Sequence, residues 1–129
     1  MKINCLDHLV LTVKDINVSI AFYTQALGMS VKTFGEQQQR KALTFGQQKI
    51  NLHERGKEYE PKALAPSVGS LDICFIIDTS LEDAMAHLRR HHVVLEAGPV
   101  ERVGALGMMR SIYLRDPDGN LIELSKYMG

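Results

Sequence analysis

The order strand–helix–strand–strand–strand occurs twice along this chain of 129 residues, and this repeat constrains the possible folds more than any other feature. A shift of 64 positions aligns HLVL at residues 8–11 with DICF at residues 72–75, and a shift of 72 aligns INLH at residues 50–53 with IELS at residues 122–125. Sequence identity between the halves is negligible, so the repeat depends on element order and on the apolar pattern. The sequence therefore predicts an α+β fold built from two βαβββ modules.

The repeat also predicts the domain organisation. Module one is expected over about residues 1–56, a linker with two prolines over about 57–69, and module two over about 70–129. Half a chain of this length is too short for a secure core of its own. We therefore expect the two modules to fold together as a single domain over residues 1–129.

Apolar spacing places the elements of module one. Residues 3–13 indicate a strand buried on both faces. Asp15 or Asn17 can cap a helix with an apolar stripe, and Gly28 is suited to the left-handed residue after that helix. Three antiparallel strands are then expected, over Met29–Phe34, Lys41–Phe45 and Lys49–Glu54.

Module two shows a similar pattern. A strand is predicted over Leu71–Ile77, and Ser80 begins a capping box for the next helix. Further strands are predicted over Val93–Leu95, Met109–Leu114 and Asn120–Lys126, with turns at Gly98–Pro99 and Asp116–Gly119. The segment Arg102–Gly107 is interpreted as a glycine-hinged loop that could cover a binding site.

Charge and composition exclude several classes of partner. The chain has 15 Lys and Arg against 15 Asp and Glu, which argues against a protein that grips nucleic acid or an anionic membrane. No apolar run approaches the roughly 18 residues of a membrane span. Cys5 and Cys74 lie in apolar stretches and form neither a disulfide framework nor a zinc motif. We expect both to be buried thiols of a cytoplasmic protein.

Polar residues within the apolar strands are the candidates for function, because burying a polar group costs free energy unless it is hydrogen-bonded or binds a metal. His8 and Asp72 occupy equivalent positions in the first strand of each module. Asn51 and Glu123 are equivalent in the last strands. His53 follows Asn51 by two residues and is therefore expected on the same face of its strand.

Three longer motifs resemble those of one superfamily. LDHLVLTVKD near the start, FYTQALGM in the first helix and YLRDPDGNLIEL near the end are similar to the vicinal-oxygen-chelate superfamily, which includes glyoxalase I, fosfomycin-resistance enzymes, extradiol dioxygenases and bleomycin-binding proteins. Within it, FGQQKINLHE, GKEYEPKA and GSLDIC are similar to the glyoxalase-domain-containing protein 5 type. The resemblance implies paired modules in a cupped mixed sheet with the helices outside, a divalent metal in the cup, and a homodimer.

The resemblance also implies a set of metal ligands. His8 and Glu123 match the family's first-strand histidine and last-strand glutamate, Asp72 stands where many members have histidine, and Asn51 stands where glyoxalase I has glutamate. One imidazole with two carboxylates favours manganese or iron over zinc. The expected cofactor is therefore a divalent ion, one of Mn, Fe, Ni or Zn, and His53 could be a further ligand. Asn51 is expected to contact the ligands or the substrate rather than the metal.

These residues lead to a functional hypothesis and an alternative. The hypothesis is a metal-dependent, glyoxalase-like lyase or isomerase that acts on a small molecule with adjacent oxygen atoms. Glu123 or Asp72 would be the catalytic base, and Arg102 and Arg110 would bind an anionic substrate. The alternative is a metal-free protein that sequesters a small molecule, as the bleomycin-binding relatives do.

Structural roles also remain open for some of the same residues. His8 could be a hydrogen-bonded core histidine, and Glu123 could pair with Arg110 or Arg115. In that case no metal site is needed to explain polar residues in apolar strands.

A second histidine pair lies outside this set. His87 and His91 are four residues apart on a predicted helix, which is a possible zinc spacing. We interpret the pair as a solvated helix end, where imidazolium is favoured by the partial negative charge.

Overall fold

The structure is a computed structural model that describes all residues from 1 to 129, and it divides into two compact units, unit 1 over Met1–Gly69 and unit 2 over Ser70–Gly129. Each unit contains a four-stranded mixed sheet and one α-helix. The α+β class and the two βαβββ modules are therefore confirmed. Neither helix is long and apolar enough to cross a membrane.

Unit 1 has its parallel strand pair at one side of the sheet. Its elements are β1 (His8–Val13), α1 (Ile16–Gln25), β2 (Ser30–Phe34), β3 (Arg40–Phe45) and β4 (Gln48–Glu54). The strand order is β1-β4-β3-β2, with β1 parallel to β4 and the other neighbours antiparallel. Because β1 pairs only with β4, and His8 is opposite Lys49 at the start of that strand, the predicted strand over residues 3–7 has no partner and does not form.

Two carboxylates fix the start of α1. Asp15 Oδ1 accepts hydrogen bonds from the backbone N–H groups of Asn17 (3.0 Å) and Val18 (3.2 Å), as the N-cap prediction requires. Glu54, at the end of β4, accepts a third from the backbone of Ile16 at 3.0 Å. The helix thus begins where the chain leaves β1, with two of its free N–H groups bound by Asp15 and one by Glu54 of the sheet.

Strand alternation gives the unit 1 sheet two different faces. One is apolar and includes the buried side chains of Leu11, Leu43, Ile50 and Leu52. The opposite face, called here the unit-1 polar face, consists of His8, Val10, Thr12, Ser30, Lys32, Phe34, Arg40, Ala42, Thr44, Lys49, Asn51 and His53. The candidate residues of module one therefore share one face.

Unit 2 repeats this topology. Its elements are β5 (Asp72–Ile76), α2 (Leu81–Arg90), β6 (Ala97–Gly104), β7 (Gly107–Arg115) and β8 (Leu121–Tyr127), in the sheet order β5-β8-β7-β6. Ser80 caps α2 as predicted, because its Oγ accepts the backbone N–H of Asp83 at 3.1 Å. The unit-2 polar face includes Asp72, Cys74, Ile76, Val100, Arg102, Met109, Ser111, Tyr113, Arg115, Leu121, Glu123, Ser125 and Tyr127.

Three predictions for module two are wrong. Val93–Leu95 is not a strand, because the backbone N–H of Val93 bonds to the carbonyl of Leu88 and completes the end of α2. The segment Arg102–Gly107 is not a loop over a site, because it forms the hairpin between β6 and β7, with Arg102 opposite Met109. Strand β6 begins at Ala97 instead, so the predicted turn at Gly98–Pro99 is not a turn between strands. The two residues lie inside β6, where the register with β7 shifts between Ala97 and Val100.

The expectation of two buried thiols is also wrong. Cys5 and Cys74 are both exposed and unpaired by a disulfide. Cys5 precedes the first strand, so no sheet covers it, and Cys74 lies on the polar rather than the apolar face of its strand. Alternation, rather than the apolar letters around each cysteine, decides their exposure.

Candidate functional site

The arginine of the unit-1 polar face is held by its neighbours. Arg40 Nη2 lies 3.3 Å from Nε2 of His53, which occupies the neighbouring strand. The guanidinium carbon lies 4.9 Å from the ring centroid of Phe34 and 4.7 Å from that of Tyr59. The ring of His53 lies 5.6 Å from Tyr59. Stacking on two rings fixes the plane of the guanidinium and leaves it few alternative positions.

A lysine shares the same aromatic ring. Lys49 Nζ lies 4.1 Å from the ring centroid of Phe34, which also contacts Arg40. Between these two cations in the sheet are Asn51, on the strand of Lys49, and Ala42, opposite Asn51 on β3. Asn51 is only 5% exposed and Ala42 is fully buried, so other side chains shield both residues from solvent. Arg40 and Lys49 make the surface around them positively charged.

His53 is kept neutral in this surface. It is 3% exposed, and burial lowers its pKa below 6.5, with smaller lowering effects from Arg40 and Lys62 and an opposing effect from the carboxylate of Glu58. A neutral imidazole that receives the Arg40 N–H at Nε2 carries its own proton on Nδ1. His53 therefore acts as a hydrogen-bond acceptor that orients the arginine.

Two buried polar atoms on this face have no hydrogen-bond partner. They are Nε of Arg40, which is a donor, and Oδ1 of Asn51, which is an acceptor. Buried polar atoms are almost always hydrogen-bonded, and leaving one unsatisfied costs about 1–3 kcal/mol. Unpaired polar atoms on a polar strand face are typical of a binding site, where a bound molecule supplies the missing hydrogen-bond partners.

His8 lies on the same face, at the opposite end of β1 from the helix. Its side chain is 42% exposed, and Nδ1 lies 2.8 Å from the carboxylate of Asp7. A carboxylate at one ring nitrogen is the arrangement that commonly orients a metal-binding histidine through the other nitrogen. It is equally the arrangement of an ordinary surface ion pair.

The unit-2 polar face contains a chain of hydroxyl and carboxylate groups. Ser125 Oγ lies 2.6 Å from Ser111 Oγ and 3.2 Å from Oε2 of Glu123. Cys74, opposite Glu123 in the register, has its sulfur 3.2 Å from Ser125 Oγ. Cys74 is exposed as a residue, but its sulfur is partly shielded from water, and this partial desolvation, together with the charges of Glu123 and Asp72, raises the pKa of the thiol, although the bond to Ser125 opposes this. The thiol is therefore protonated at neutral pH and is not an activated nucleophile.

The three arginines considered for unit 2 have different surroundings. Arg102 Nε donates to the hydroxyl of Tyr113 at 3.0 Å, on the polar face. Arg110 lies on the opposite face of β7, since it alternates with Ser111. Arg115 forms a two-point ion pair with Glu96, at 2.9 and 2.8 Å, so its suggested pairing with Glu123 is wrong.

No group of three or more His, Cys, Asp or Glu side chains in residues 1–129 is arranged to hold a metal ion. Unit 1 contributes His8 and His53 to one face, and unit 2 contributes Asp72 and Glu123 to another. The nitrogen of His53 that faces Arg40 is already a hydrogen-bond acceptor, and the guanidinium beside it disfavours a second cation. Neither unit by itself therefore brings three metal ligands together.

The second histidine pair is close but lacks a third ligand. The rings of His87 and His91 lie with centroids 4.4 Å apart at the end of α2. Both residues are in or next to the last turn of the helix, beside Arg89 and Arg90. This position agrees with the interpretation as a charged helix end.

Sequence reasoning missed the most distinctive cluster, formed by Phe34, Arg40, Lys49 and Tyr59. A signal for part of it was present. In the segment KINLH, polar Lys49, Asn51 and His53 alternate with Ile50 and Leu52, which predicts one polar and one apolar face. Tyr59 belongs to the segment after β4, and no periodic pattern there indicates its contact with Arg40.

The fold of two βαβββ units, each with one polar sheet face, defines the class of protein. The family model of the Glyoxalase/Bleomycin resistance protein/Dioxygenase superfamily matches residues 5–124. The chain belongs to this superfamily, as the resemblance of its motifs implied.

Relatives with high identity cover almost the whole chain. Glyoxalase domain-containing protein RDO1 of Mycosarcoma maydis is 58% identical over 127 residues, which is 98% of this chain and 70% of the relative. Virulence protein STM3117 of Salmonella typhimurium is 53% identical over 128 residues, covering 99% of this chain and 88% of the relative. An integron cassette protein from V. cholerae is 56% identical in its solved structure, with a TM-score of 0.96 over 99% of this chain and 98% of that one.

More distant solved structures share the fold alone. A lactoylglutathione lyase from Agrobacterium tumefaciens is 20% identical, with a TM-score of 0.72. The antibiotic-binding protein TnmS3 from a Streptomyces species is also 20% identical, with a TM-score of 0.75. The same fold thus occurs in a protein named as an enzyme and in one named as a binding protein, so function has to be argued from residues.

Proposed function

We propose that this protein binds a small molecule with oxygen atoms on adjacent carbons, and that binding needs no metal ion. The observation that carries the proposal is Asn51, which is almost completely buried on a polar sheet face and has an amide oxygen without a partner. A neutral amide is a weak ligand for transition metals but a good hydrogen-bond partner for hydroxyl and carbonyl groups. The relation to an antibiotic-binding protein of the same fold agrees with this role.

A metal-dependent, glyoxalase-like lyase or isomerase, or a dioxygenase relative, is the second candidate. It is favoured by His8, whose Nδ1 is held by Asp7 so that Nε2 stays available. In this proposal His8, Asp72 and Glu123 hold one of Mn, Fe, Ni or Zn, with His53 as an additional ligand. Glu123 or Asp72 would then serve as base, and Arg102, which lies on the same face of unit 2, would bind the substrate. Arg110 lies on the opposite face of β7 and is left out of this proposal.

Two measurements on the full chain separate these functions. A screen of glycolate, lactate, catechol and 1,2-propanediol by ¹H–¹⁵N NMR, with and without EDTA, tests binding. Metal-free binding predicts saturable shift changes that EDTA leaves unaltered. Elemental analysis after incubation with each metal tests the second candidate, which predicts bound metal in the wild type and its loss in His8→Ala and Glu123→Ala. The variant His87→Ala is the matched control, because it removes a histidine outside the proposed ligand set.

We further propose a homodimer in the cytoplasm. Large apolar side chains are exposed on the chain, among them Ile3 (82%), Val103 (80%) and Leu106 (87%). Exposed apolar patches and open strand edges are typical of surfaces that a second copy covers. Sedimentation analysis tests the dimer, and a species of 14.4 kDa at micromolar concentration would contradict it. The similarity to the glyoxalase-domain-containing protein 5 type is part of the same proposal.

A further inference from the structure

Neither Arg40 nor Lys49, the two cations beside Asn51 on the unit-1 polar face, forms an ion pair within the chain. Both residues are partly buried. The acidic residue that acts on His53 is Glu58, and its carboxylate accepts the backbone N–H of Gly56 at 3.1 Å. Partly buried cations lose hydration, so an anion that approaches them is bound more strongly than at a fully exposed site.

These cations are also preorganised. Phe34 contacts both of them, Tyr59 also contacts Arg40, and His53 accepts one of the arginine N–H groups. A ligand therefore does not have to restrict two flexible side chains when it binds, which is one of the main costs of association. In this arrangement His53 is a positioning residue for Arg40.

The unsatisfied atoms define what else the ligand carries. Arg40 Nε requires an acceptor, and Asn51 Oδ1 requires a donor. A simple carboxylate supplies the acceptor alone, and a neutral diol supplies no charge. A carboxylate with a hydroxyl group on the neighbouring carbon supplies both.

We infer that the unit-1 polar face binds a small 2-hydroxy carboxylate, whose carboxylate lies against Arg40 and Lys49 and whose hydroxyl donates to Oδ1 of Asn51. This inference rests on the proposed small-molecule-binding function and names the class of ligand and the residues that select it. Of the four predicted metal ligands, this binding mode uses only His53, which holds Arg40 in position and does not contact the ligand.

The test uses two probes that differ only in the hydroxyl group. Glycolate and acetate are titrated separately into ¹⁵N-labelled full-length protein, with ethylene glycol as the neutral probe. We expect saturable shift changes at the amides of Ala42, Asn51 and His53. The affinity for glycolate should exceed that for acetate by roughly 5- to 10-fold, the usual value of one hydrogen bond to a buried partner. Ethylene glycol should cause no saturable change.

Three substitutions separate the parts of the site. Arg40→Met keeps the packing of the side-chain stem and should weaken both carboxylates about 10-fold or more, because a charge-assisted contact is lost. Asn51→Leu should abolish the preference for glycolate while acetate binding persists. The control is Lys41→Met, which removes a cation from the same strand but from its opposite face and should change nothing.

Several outcomes would overturn the inference. Equal affinity of wild type for glycolate and acetate would show a plain anion site. Unchanged glycolate binding in Arg40→Met and Lys49→Met would place the ligand elsewhere and leave the proposed function intact. If Arg40→Met fails to fold, Lys49→Met supplies the same comparison. Absence of binding by every compound of the earlier screen would instead remove the proposed function itself.

Discussion

Asp116 and Asn120 are joined by three hydrogen bonds. The carboxylate of Asp116 accepts the backbone N–H of Asn120 at Oδ1 (3.0 Å) and its side-chain amide at Oδ2 (2.7 Å), and the backbone N–H of Asp116 donates to the carbonyl oxygen of Asn120 (3.1 Å). Asp116 is 5% exposed and Asn120 fully buried. The amide oxygen of Asn120 then accepts the backbone N–H of Leu71 at 2.8 Å. The DPDGN sequence, one of the motifs that resembles the superfamily, therefore connects the β7–β8 turn to the segment before β5.

Asn120→Ala should destabilise the protein by about 2–4 kcal/mol, because it removes the side-chain amide that donates to Oδ2 of the buried Asp116 and leaves the Leu71 N–H without its acceptor. Urea denaturation followed by circular dichroism measures this loss. Asn17→Ala, an exposed asparagine in α1, is the control and should cost less than about 1 kcal/mol. Equal midpoints for the two variants would contradict the structural role of the motif.

Gly98→Ala should destabilise the protein by about 3 kcal/mol. Gly98 has φ of +101°, and a Cβ there would collide with the carbonyl oxygen of Ser111 and approach Cα of Ile112 to 2.9 Å. Backbone atoms of β7 cannot move aside as a flexible side chain can. Gly46→Ala, in a turn with φ of +51° and open space around it, should cost about 1 kcal/mol. The difference between the urea denaturation midpoints of Gly98→Ala and Gly46→Ala measures the destabilisation caused by the collision with β7.

The element order was predictable because apolar period and capping residues are local properties. Asp15 and Ser80 both cap helices as their positions indicate. Strand β6 was not predictable in this way. Its sequence AGPVERVG contains little apolar alternation, and its pairing with β7 is a tertiary contact. The apolar run Val93–Leu95 satisfied a local pattern but had no neighbouring strand.

The candidate site was predictable only in part, for a related reason. Asn51 and His53 are recognisable because they interrupt an apolar strand, and the register confirms that they share a face. Arg40 is at the edge of a polar stretch and Tyr59 is in the segment after β4, where sequence gives no sign of burial or stacking. Their contact depends on how the segment after β4 folds back over the sheet of unit 1.

Glu54→Gln should reduce the dependence of stability on acid pH. The hydrogen bond from the Ile16 backbone, with a smaller contribution from Lys57, lowers the pKa of Glu54 below 4.5 in the folded protein. The stabilisation by this carboxylate is therefore complete above pH 4.5 and is lost as the pH falls through the lower folded value. Urea denaturation at several acid pH values should show a shallower loss in Glu54→Gln than in wild type. Glu36→Gln, an exposed glutamate without an ion pair, should retain the wild-type slope.

His53 should titrate below 6.5 in the folded protein, with burial as the main cause and Arg40 as the next. Its folded pKa is lower than the unfolded one, so its contribution to stability is complete above pH 6.5 and declines as the pH falls towards the folded value. In Arg40→Met we expect the pKa of His53 to rise without reaching 6.5, because the guanidinium is gone but the imidazole stays buried. Histidine ring NMR signals followed against pH measure both values, and Lys41→Met, on the opposite face, should leave the pKa unaltered. A His53 pKa that is the same in Arg40→Met and wild type would show that the 3.3 Å contact does not couple the two groups in solution.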